Sequence, residues 1–208
     1  MEPGTQRLSR AEDSEKRRRE ILAAALDCFH AHGYEKTTLA DIRDRAGASI
    51  GSIYHHFGGK EQIFAALYLD AIAKAQSFNL RALRRAQTLE QAVHGLVRSY
   101  LQWVNTHREL AGFVLTMRRA EFMQDAEEDL ERINRKFRKE LDAWLTQYDD
   151  GRLAGIAPDL LFALLIGPSE EFARRWLRGK TTTALRRAAD SLAEAAWLSL
   201  SGLGGRGR

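Results

Sequence analysis

A run of hydrogen-bonding side chains between residues 49 and 60 is the part of the sequence best suited to bind another molecule. It comprises Ser49, Ser52, Tyr54, His55, His56 and Lys60. Hydroxyl, imidazole and ammonium groups can bond to phosphates and to the edges of nucleic-acid bases. The adjacent histidines also suit a metal or an acid–base role, but no carboxylate or cysteine lies at a convincing ligand spacing and no nucleophile partner is visible. The pattern therefore favours binding over catalysis.

Two short helices joined by a turn are predicted to carry these side chains. In the first, over residues 38–46, Thr38 and Asp41 resemble a capping box, with Asp where Glu or Gln is usual. Ile42 is expected to face inward in this helix. Gly47 breaks the helical pattern and allows the positive φ that a tight interhelical turn can require.

The second short helix is predicted over residues 50–57, with Ser49 as its N-cap. Helical periodicity places Ile50, Ile53 and Phe57 on its inward side and the polar residues on its outward side. A helix of this length is not stable alone. The longer helices predicted before and after the pair must therefore hold it in place.

Residues 17–64 strongly resemble the TetR (tetracycline-repressor-like) family of bacterial regulators. The matching residues are Ile21, Leu22, Ala24, Ala25, Phe29, Gly33, Tyr34, Thr37, Thr38, Leu39, Asp41, Ile42, Ala46, Gly47, Ser49, Gly51, Ser52, Ile53, Tyr54, His56, Phe57, Lys60 and Glu61. The resemblance implies a helix-turn-helix whose second helix enters the DNA major groove. It implies phosphate contacts from Thr38, Tyr54, His56 and Lys60, and base-facing positions at Ser49, Ile50, Ser52 and His55.

Two positions depart from the family pattern, and one basic run lies just outside it. Arg43 stands where Ala is common, so it is expected to point outward, toward phosphate or solvent. Gly59 replaces the usual Ser or Asn cap of the following helix, at a cost of a few tenths of a kcal/mol. Residues 16–19 are all basic, and they either strengthen DNA binding or form a solvated helix start.

The rest of the chain reads as further helices, for which the resemblance implies ligand binding and dimerisation. Aromatic and methionine side chains there are predicted to line an apolar ligand site, with plain core packing as the alternative for each one. The predicted set is Trp103, His107, Phe113, Met117, Phe122, Phe137 and Trp144. His107, Arg118 and Arg119 are candidates for the polar end of the ligand.

The last two predicted helices mix large and small apolar residues. Too much of their surface is apolar for an isolated outer pair, so they are expected to pair with the same helices of a second copy about a twofold axis. The predicted dimer residues are Leu161, Leu165, Phe172, Trp176, Ala188, Leu192 and Ala195.

Composition limits the classes of protein to which the chain can belong. The 208 residues carry a net charge of +4, with ten basic and nine acidic residues in the first sixty, so composition alone does not indicate a nucleic-acid binder. The only cysteine, Cys28, can form no intrachain disulfide, and no signal peptide or membrane-spanning run is apparent, so a cytoplasmic location is expected. We predict an all-α chain with a disordered arm (1–14), a helix-turn-helix domain (15–60), a ligand-binding and dimerisation domain (61–202) and a disordered tail (203–208).

The leading functional hypothesis is a homodimeric, sequence-specific DNA-binding regulator, more readily a repressor than an activator, that reads a palindromic operator and is released by a small, largely apolar effector. No cofactor is expected. The first alternative is an enzyme built on a helical bundle, but the sequence lacks the Glu-x-x-His pairs of a di-iron site and any phosphate-binding loop. The second is a non-specific nucleic-acid binder, which the modest net charge argues against.

Overall fold

The computed structural model describes residues 3–117, 123–149, 151–153 and 156–204, and within these ranges it contains nine helices and no strand. The helices are α1 (Pro3–Lys36), α2 (Leu39–Ala46), α3 (Ile50–His56), α4 (Lys60–Leu83), α5 (Leu89–Thr106), α6 (Arg108–Met117), α7 (Glu127–Tyr148), α8 (Pro158–Leu177) and α9 (Leu185–Gly204). The predicted all-helical class is confirmed. None of the described helices combines the length and apolar character needed to cross a membrane.

The described residues form two compact units. Unit 1 contains those within Met1–Ala71 and Thr116–Glu128, and unit 2 contains those within Ile72–Leu115 and Asp129–Arg208. Each unit thus includes part of α4, whereas the sequence placed the division at residues 60 and 61.

Helix α1 differs from its prediction at the N-terminal end. Residues 3–14 were expected to be a disordered arm, but they continue α1. About half of this stretch consists of good helix formers such as Gln6, Leu8 and Ala11, and a helix already nucleated by the packed segment after Ile21 extends by one hydrogen bond per residue. At the other end, Gly33 interrupts the helical backbone with φ 78° and ψ 168°.

The core of unit 1 gathers one apolar face from each of its first four helices. Ile21, Ile42, Ile53 and Ile63 are fully buried, one each from α1, α2, α3 and α4. The edge-on contact of the Tyr34 and Phe64 rings, 5.1 Å between centroids, adds to this core. Full burial of such side chains stabilises by roughly 1.5–3 kcal/mol each, which is how the short α2 and α3 are held.

Unit 2 contains two clusters of buried apolar side chains. The larger cluster draws on α4, α5, α7, α8 and α9 and includes Phe137, Leu165 and Leu200. The smaller cluster draws on α5, α6, α8 and α9 and includes Trp103 and Ala173. Helix α9 ends at Gly204, so the first two residues of the predicted tail are helical and residues 205–208 lie outside the described ranges.

Candidate nucleic-acid interface

The start of α2 has the predicted capping box. The backbone N–H of Asp41 donates to Thr38 Oγ1 at 3.2 Å, and the backbone N–H of Thr38 donates to Asp41 Oδ2 at 2.8 Å. The Thr38 hydroxyl also donates to Asp41 Oδ2 at 2.7 Å. These hydrogen bonds lower the pKa of the Asp41 carboxyl. Because its hydroxyl proton is used within the cap, Thr38 needs to rearrange before it can donate to a phosphate.

The turn between α2 and α3 is made by Gly47 and Ser49. Gly47 lies in the left-handed region (φ 56°), as predicted, and its N–H bonds to the end of α2. Ser49 caps α3, and its hydroxyl accepts from the backbone N–H of Ser52 at 3.1 Å. The two caps together set the direction in which α3 leaves the turn.

Helix α3 buries one side chain and exposes most of the others. Ile53 is fully buried, whereas Ile50 is 45% exposed and Tyr54 is 56% exposed. The periodicity-based expectation that Ile50 faces inward is therefore wrong, while the base-facing position implied by the family resemblance is consistent with its exposure. Ile50 is the first residue of α3, and Ile53 is the residue of this short helix that is buried in the core. Ser49 and His55 are also exposed, and Ser52 and His56 are half-buried.

Lys60 has a role that the sequence did not reveal. Its Nζ donates to the backbone carbonyls of Tyr34 at 3.1 Å and Thr37 at 3.0 Å, and it lies 4.5 Å from the centre of the Tyr34 ring. The ammonium group has three donors, so two are already used inside unit 1. The predicted phosphate contact of Lys60 stays a prediction, and the structure shows in addition that Lys60 links α4 to the end of α1 and to Thr37, just before α2.

Arg43 is oriented as the sequence indicated, toward the surface. Its guanidinium pairs with the adjacent Asp44 at 2.6 Å, and its side chain is 42% exposed. An exposed pair of this kind contributes little to stability. The guanidinium is therefore available to exchange Asp44 for a phosphate.

The C-terminal end of α3 lies beside the first part of α1. The Arg18 guanidinium sits 5.6 Å from the centre of the Phe57 ring. Partial burial lowers the pKa of His56, and the nearby charges of His55, Arg18 and Arg17 lower this pKa further, against a small opposing effect of Glu15. His56 thus presents a neutral imidazole among cationic neighbours over more of the pH range than a free histidine does. In the part of the chain that the structure describes, no three His, Cys, Asp or Glu side chains are grouped to hold a metal ion.

The predicted ligand-site residues do not form one cluster. Trp103 belongs to the smaller cluster, and Phe137 and Trp144 belong to or pack against the larger one. Phe113 is fully buried, whereas Met117 is half-buried at the end of α6. The remaining predicted residue, Phe122, lies outside the described residues.

The predicted polar end of the ligand site also needs correction. His107 is exposed rather than inward, and its Nδ1 lies 2.9 Å from Thr106 Oγ1 and 3.2 Å from the Trp103 carbonyl oxygen. It is the C-cap of α5, where the chain turns, so helical periodicity no longer predicts its direction. Arg118 and Arg119 lie outside the described residues.

Two polar pairs inside unit 2 were missed by the sequence reasoning. Ser99 Oγ donates to Asn79 Oδ1 at 2.9 Å, and both residues are buried. Gln76 Nε2 donates to Asn134 Oδ1 at 2.8 Å across α4 and α7. The sequence contained a signal for the buried pair, because Asn79 and Ser99 interrupt otherwise apolar helix faces. A single polar residue on such a face does not show which residue it bonds to.

The predicted dimer residues mostly pack within their own subunit. Leu165 and Ala188 are each 5% exposed. Leu161, Phe172, Trp176 and Leu192 are half-buried against the two clusters, and Ala195 is exposed. Periodicity identifies an apolar stripe but not whether its own chain already covers it. The large apolar side chains left exposed on α8 and α9 are instead Leu160, Phe162, Leu198 and Leu203.

Fold and site together define a helical protein with an N-terminal helix-turn-helix and a second helical unit. The model of the family described as "Bacterial regulatory proteins, tetR family" matches residues 21–67. This N-terminal segment is therefore similar to the TetR family of bacterial regulatory proteins.

Curated relatives match about a quarter to a third of the chain. The repressor AcnR of Corynebacterium efficiens is 46% identical over 57 residues, which is 27% of this chain and 30% of AcnR. The regulator TtgR of Pseudomonas putida is 38% identical over 71 residues, 34% of this chain and 33% of TtgR. The matched segments thus span only about a third of these relatives. Both relatives are named as transcriptional regulators.

Solved structures match the fold over almost the whole chain. A TetR family regulator from Marinobacter aquaeolei superposes with a TM-score of 0.72 at 18% identity, covering 91% of this chain and 96% of that one. The regulator FadR from Bacillus subtilis, solved with stearoyl-CoA, gives a TM-score of 0.71 at 19% identity, covering 88% of this chain and 97% of FadR. At these identities the likeness concerns the fold.

Proposed function

We propose that this chain is a homodimeric, sequence-specific DNA-binding repressor that a small, largely apolar ligand releases from its operator. The observation that carries the proposal is the exposure of α3, which buries Ile53 while leaving Ile50 at 45% and Tyr54 at 56% exposed. Large apolar and aromatic side chains on a short helix beside polar Ser49 and His55 suit contacts with base edges, thymine methyl groups and phosphates. The repressor function assigned to AcnR supports the direction of regulation.

In this proposal the side chains divide by the part of DNA that they contact. Ser49, Ile50, Ser52 and His55 lie on or near the start and the exposed side of α3, and they read bases. Tyr54, His56 and Arg43, with the backbone N–H groups at the start of α2, contact phosphates and set the register. Lys60 and Thr38 contribute mainly by holding these elements.

DNA binding can be tested with a pool of random-sequence duplexes, because the protein itself then selects its operator. Duplexes bound by the purified protein are expected to converge on a palindrome, and footprinting should show two protected half-sites. Tyr54→Ala is expected to weaken binding by about 10-fold or more, corresponding to a lost contact of about 1.4 kcal/mol. Lys36→Ala, an exposed change at the end of α1, serves as the control. Failure of the wild-type protein to enrich any sequence would refute the proposal.

We assign the dimer contact to the exposed sides of α8 and α9. Leu160 is 47% exposed and Leu198 is 60% exposed. They are accompanied on these helices by exposed small residues that allow close helix approach, namely Ala163, Gly167, Ser191, Ala195 and Gly202. Such an apolar surface is typical of helices that pair with a second copy.

The assignment predicts the effect of a charge at the centre of this surface. Leu198→Glu is expected to convert the dimer to a monomer, measured by light scattering after gel filtration. Lys139→Glu, on an exposed position of α7, adds an acidic side chain outside the proposed contact and should leave the dimer intact. A dimer that persists in the Leu198 variant at micromolar concentration would refute the assignment.

The proposed effector site lies among the aromatic side chains of unit 2. In the larger apolar cluster Phe137 is buried and Trp144 is half-buried, and the Asn79–Ser99 pair supplies buried polar groups in the same unit. An apolar site with few polar groups fits a hydrophobic ligand with one polar end. The stearoyl-CoA bound by FadR is a ligand of this general kind, which makes fatty acyl compounds the first class to test. A ligand that binds the DNA-free conformer more tightly shifts the population toward it.

The effector proposal requires two coupled observations. A compound of this class should change tryptophan fluorescence and raise the melting temperature of the free protein. The same compound should weaken binding to the selected palindrome. A compound that stabilises the protein without any change in DNA affinity contradicts its role as an effector.

A further inference from the structure

We propose that the N-terminal part of α1, ahead of the helix-turn-helix core, is a second DNA-contacting element whose basic side lies against the phosphates next to the α3 contact. The inference rests on the proposed DNA-binding function. The partner is duplex DNA, recognised through its backbone, and the contacting groups are the guanidinium groups of Arg10, Arg17 and Arg18.

The first observation is that this segment is a helix. Residues 3–20 continue α1 before the first fully buried residue, Ile21. At 1.5 Å per residue this stretch is about 27 Å long. A helix holds its side chains in a fixed arrangement, whereas a disordered arm does not.

The second observation is that one side of this segment carries basic but no acidic residues. At 100° per residue, Arg10, Ser14, Arg17 and Arg18 fall within an arc of about 100°. The same arc carries the buried residues Ile21, Ala25 and Cys28 further along the helix. All four acidic residues between positions 10 and 20 fall outside this arc, namely Glu12, Asp13, Glu15 and Glu20. The side that faces the rest of unit 1 is therefore basic.

The third observation connects this basic side to α3. The Arg18 guanidinium lies over the Phe57 ring at 5.6 Å, and Arg17 and Arg18 are close enough to His56 to lower its pKa. Phe57 directly follows α3. The basic side of α1 is thus continuous with the end of the helix proposed to lie in the major groove.

The guanidinium groups remain accessible to a second partner. The side chain of Arg17 is 41% exposed and pairs with Glu20 at 2.8 Å, and that of Arg18 is 34% exposed with Glu15 at 3.8 Å. Both pairs are local to α1 and partly solvated, so they are weak. A phosphate offers a bidentate acceptor and can replace the carboxylate in each pair.

The structure supplies a matched control on the same helical turn. Lys16 and Arg19 are exposed and fall on the arc that carries the acidic residues. Arg17→Gln/Arg18→Gln and Lys16→Gln/Arg19→Gln remove the same charge from adjacent positions. A non-directional effect of net charge would affect both double variants equally, whereas the proposed contact would not.

The experiment measures the affinity of each variant for a duplex selected by the wild-type protein, as a function of salt concentration. Each phosphate contact contributes about 0.9 to the slope of log K against log salt. The Arg17/Arg18 variant is expected to lose about 1.8 per subunit from this slope, and the Lys16/Arg19 variant clearly less. Equal loss in the two variants overturns the inference.

Two further measurements keep the test decisive. Circular dichroism and the melting temperature show whether the Arg18 change disturbs the packing on Phe57. If it does, the single variants Arg17→Gln and Lys16→Gln are compared instead. Their salt slopes are then expected to differ by about 0.9 per subunit. If the wild-type protein selects no sequence, the proposed function itself fails. If it selects a palindrome and the paired variants behave alike, only the role of α1 fails.

Discussion

Replacing Lys60 by methionine tests whether this side chain is primarily a structural link or a phosphate contact. The change keeps most of the unbranched stem and removes the charge and all three donors. The structure predicts destabilisation of unit 1, because Lys60 Nζ donates to the Tyr34 and Thr37 carbonyls at 3.1 and 3.0 Å and lies 4.5 Å from the Tyr34 ring centre.

The expected loss in unfolding free energy is about 2 kcal/mol. Two hydrogen bonds from a charged donor contribute roughly 1.5–3 kcal/mol each at most, and the cation–π contact roughly 0.5–1 kcal/mol. Three effects reduce this sum. The site is only partly buried, the Tyr34 carbonyl also accepts from the Thr37 N–H at 3.3 Å, and a cation at the start of α4 is disfavoured by the helix dipole by roughly 0.3–1 kcal/mol.

Urea-induced unfolding measures this quantity directly, at a fixed protein concentration because the apparent stability of the proposed dimer would depend on concentration. The melting temperature should fall by about 4–8 °C for a loss of this size. Lys36→Met is the control, because Lys36 is exposed at the end of α1 and its replacement removes the same charge.

One result would refute the reasoning. If the Lys60 and Lys36 variants unfold with free energies that agree within about 0.5 kcal/mol while only the Lys60 variant loses DNA affinity, the ammonium group acts on DNA rather than on the fold. The structural role is supported if Lys60→Met lowers the unfolding free energy and Lys60→Arg retains most of the wild-type value.

Three further predictions follow from single side chains. Thr38→Ala should lower the unfolding free energy by about 1 kcal/mol through loss of the α2 cap, and Thr38→Ser should retain most of it, as measured by urea unfolding. Ser99→Ala removes the hydrogen bond to the buried Asn79 Oδ1 and should lower the unfolding free energy by about 1–3 kcal/mol, also measured by urea unfolding. An unchanged unfolding free energy would show that a water molecule or another group replaces the hydroxyl. Because the pKa of His56 lies below its usual 6.5, native stability should fall as pH drops below 6.5, since the unfolded chain then binds more protons. A nearby phosphate raises that pKa, so DNA affinity should increase as pH falls through the same range in gel-shift titrations, and His56→Gln should flatten this dependence.

Local sequence signals were sufficient to predict much of the structure of unit 1. The caps at Thr38 and Ser49 and the turn at Gly47 each depend on the chemistry of residues within four positions of one another, and the structure contains all three. The family resemblance rested on the same segment. The all-helical class followed from composition and periodicity, which are also properties of neighbouring residues.

Other features depend on contacts between distant residues, and these only the tertiary structure decided. Lys60 meets carbonyls more than twenty positions earlier in the chain, and Asn79 meets Ser99 across two helices. Leu165 and Ala188 looked suited to a dimer contact, but their own subunit covers them. An apolar or polar side chain shows what kind of partner it needs, whereas the path of the whole chain determines which partner it meets.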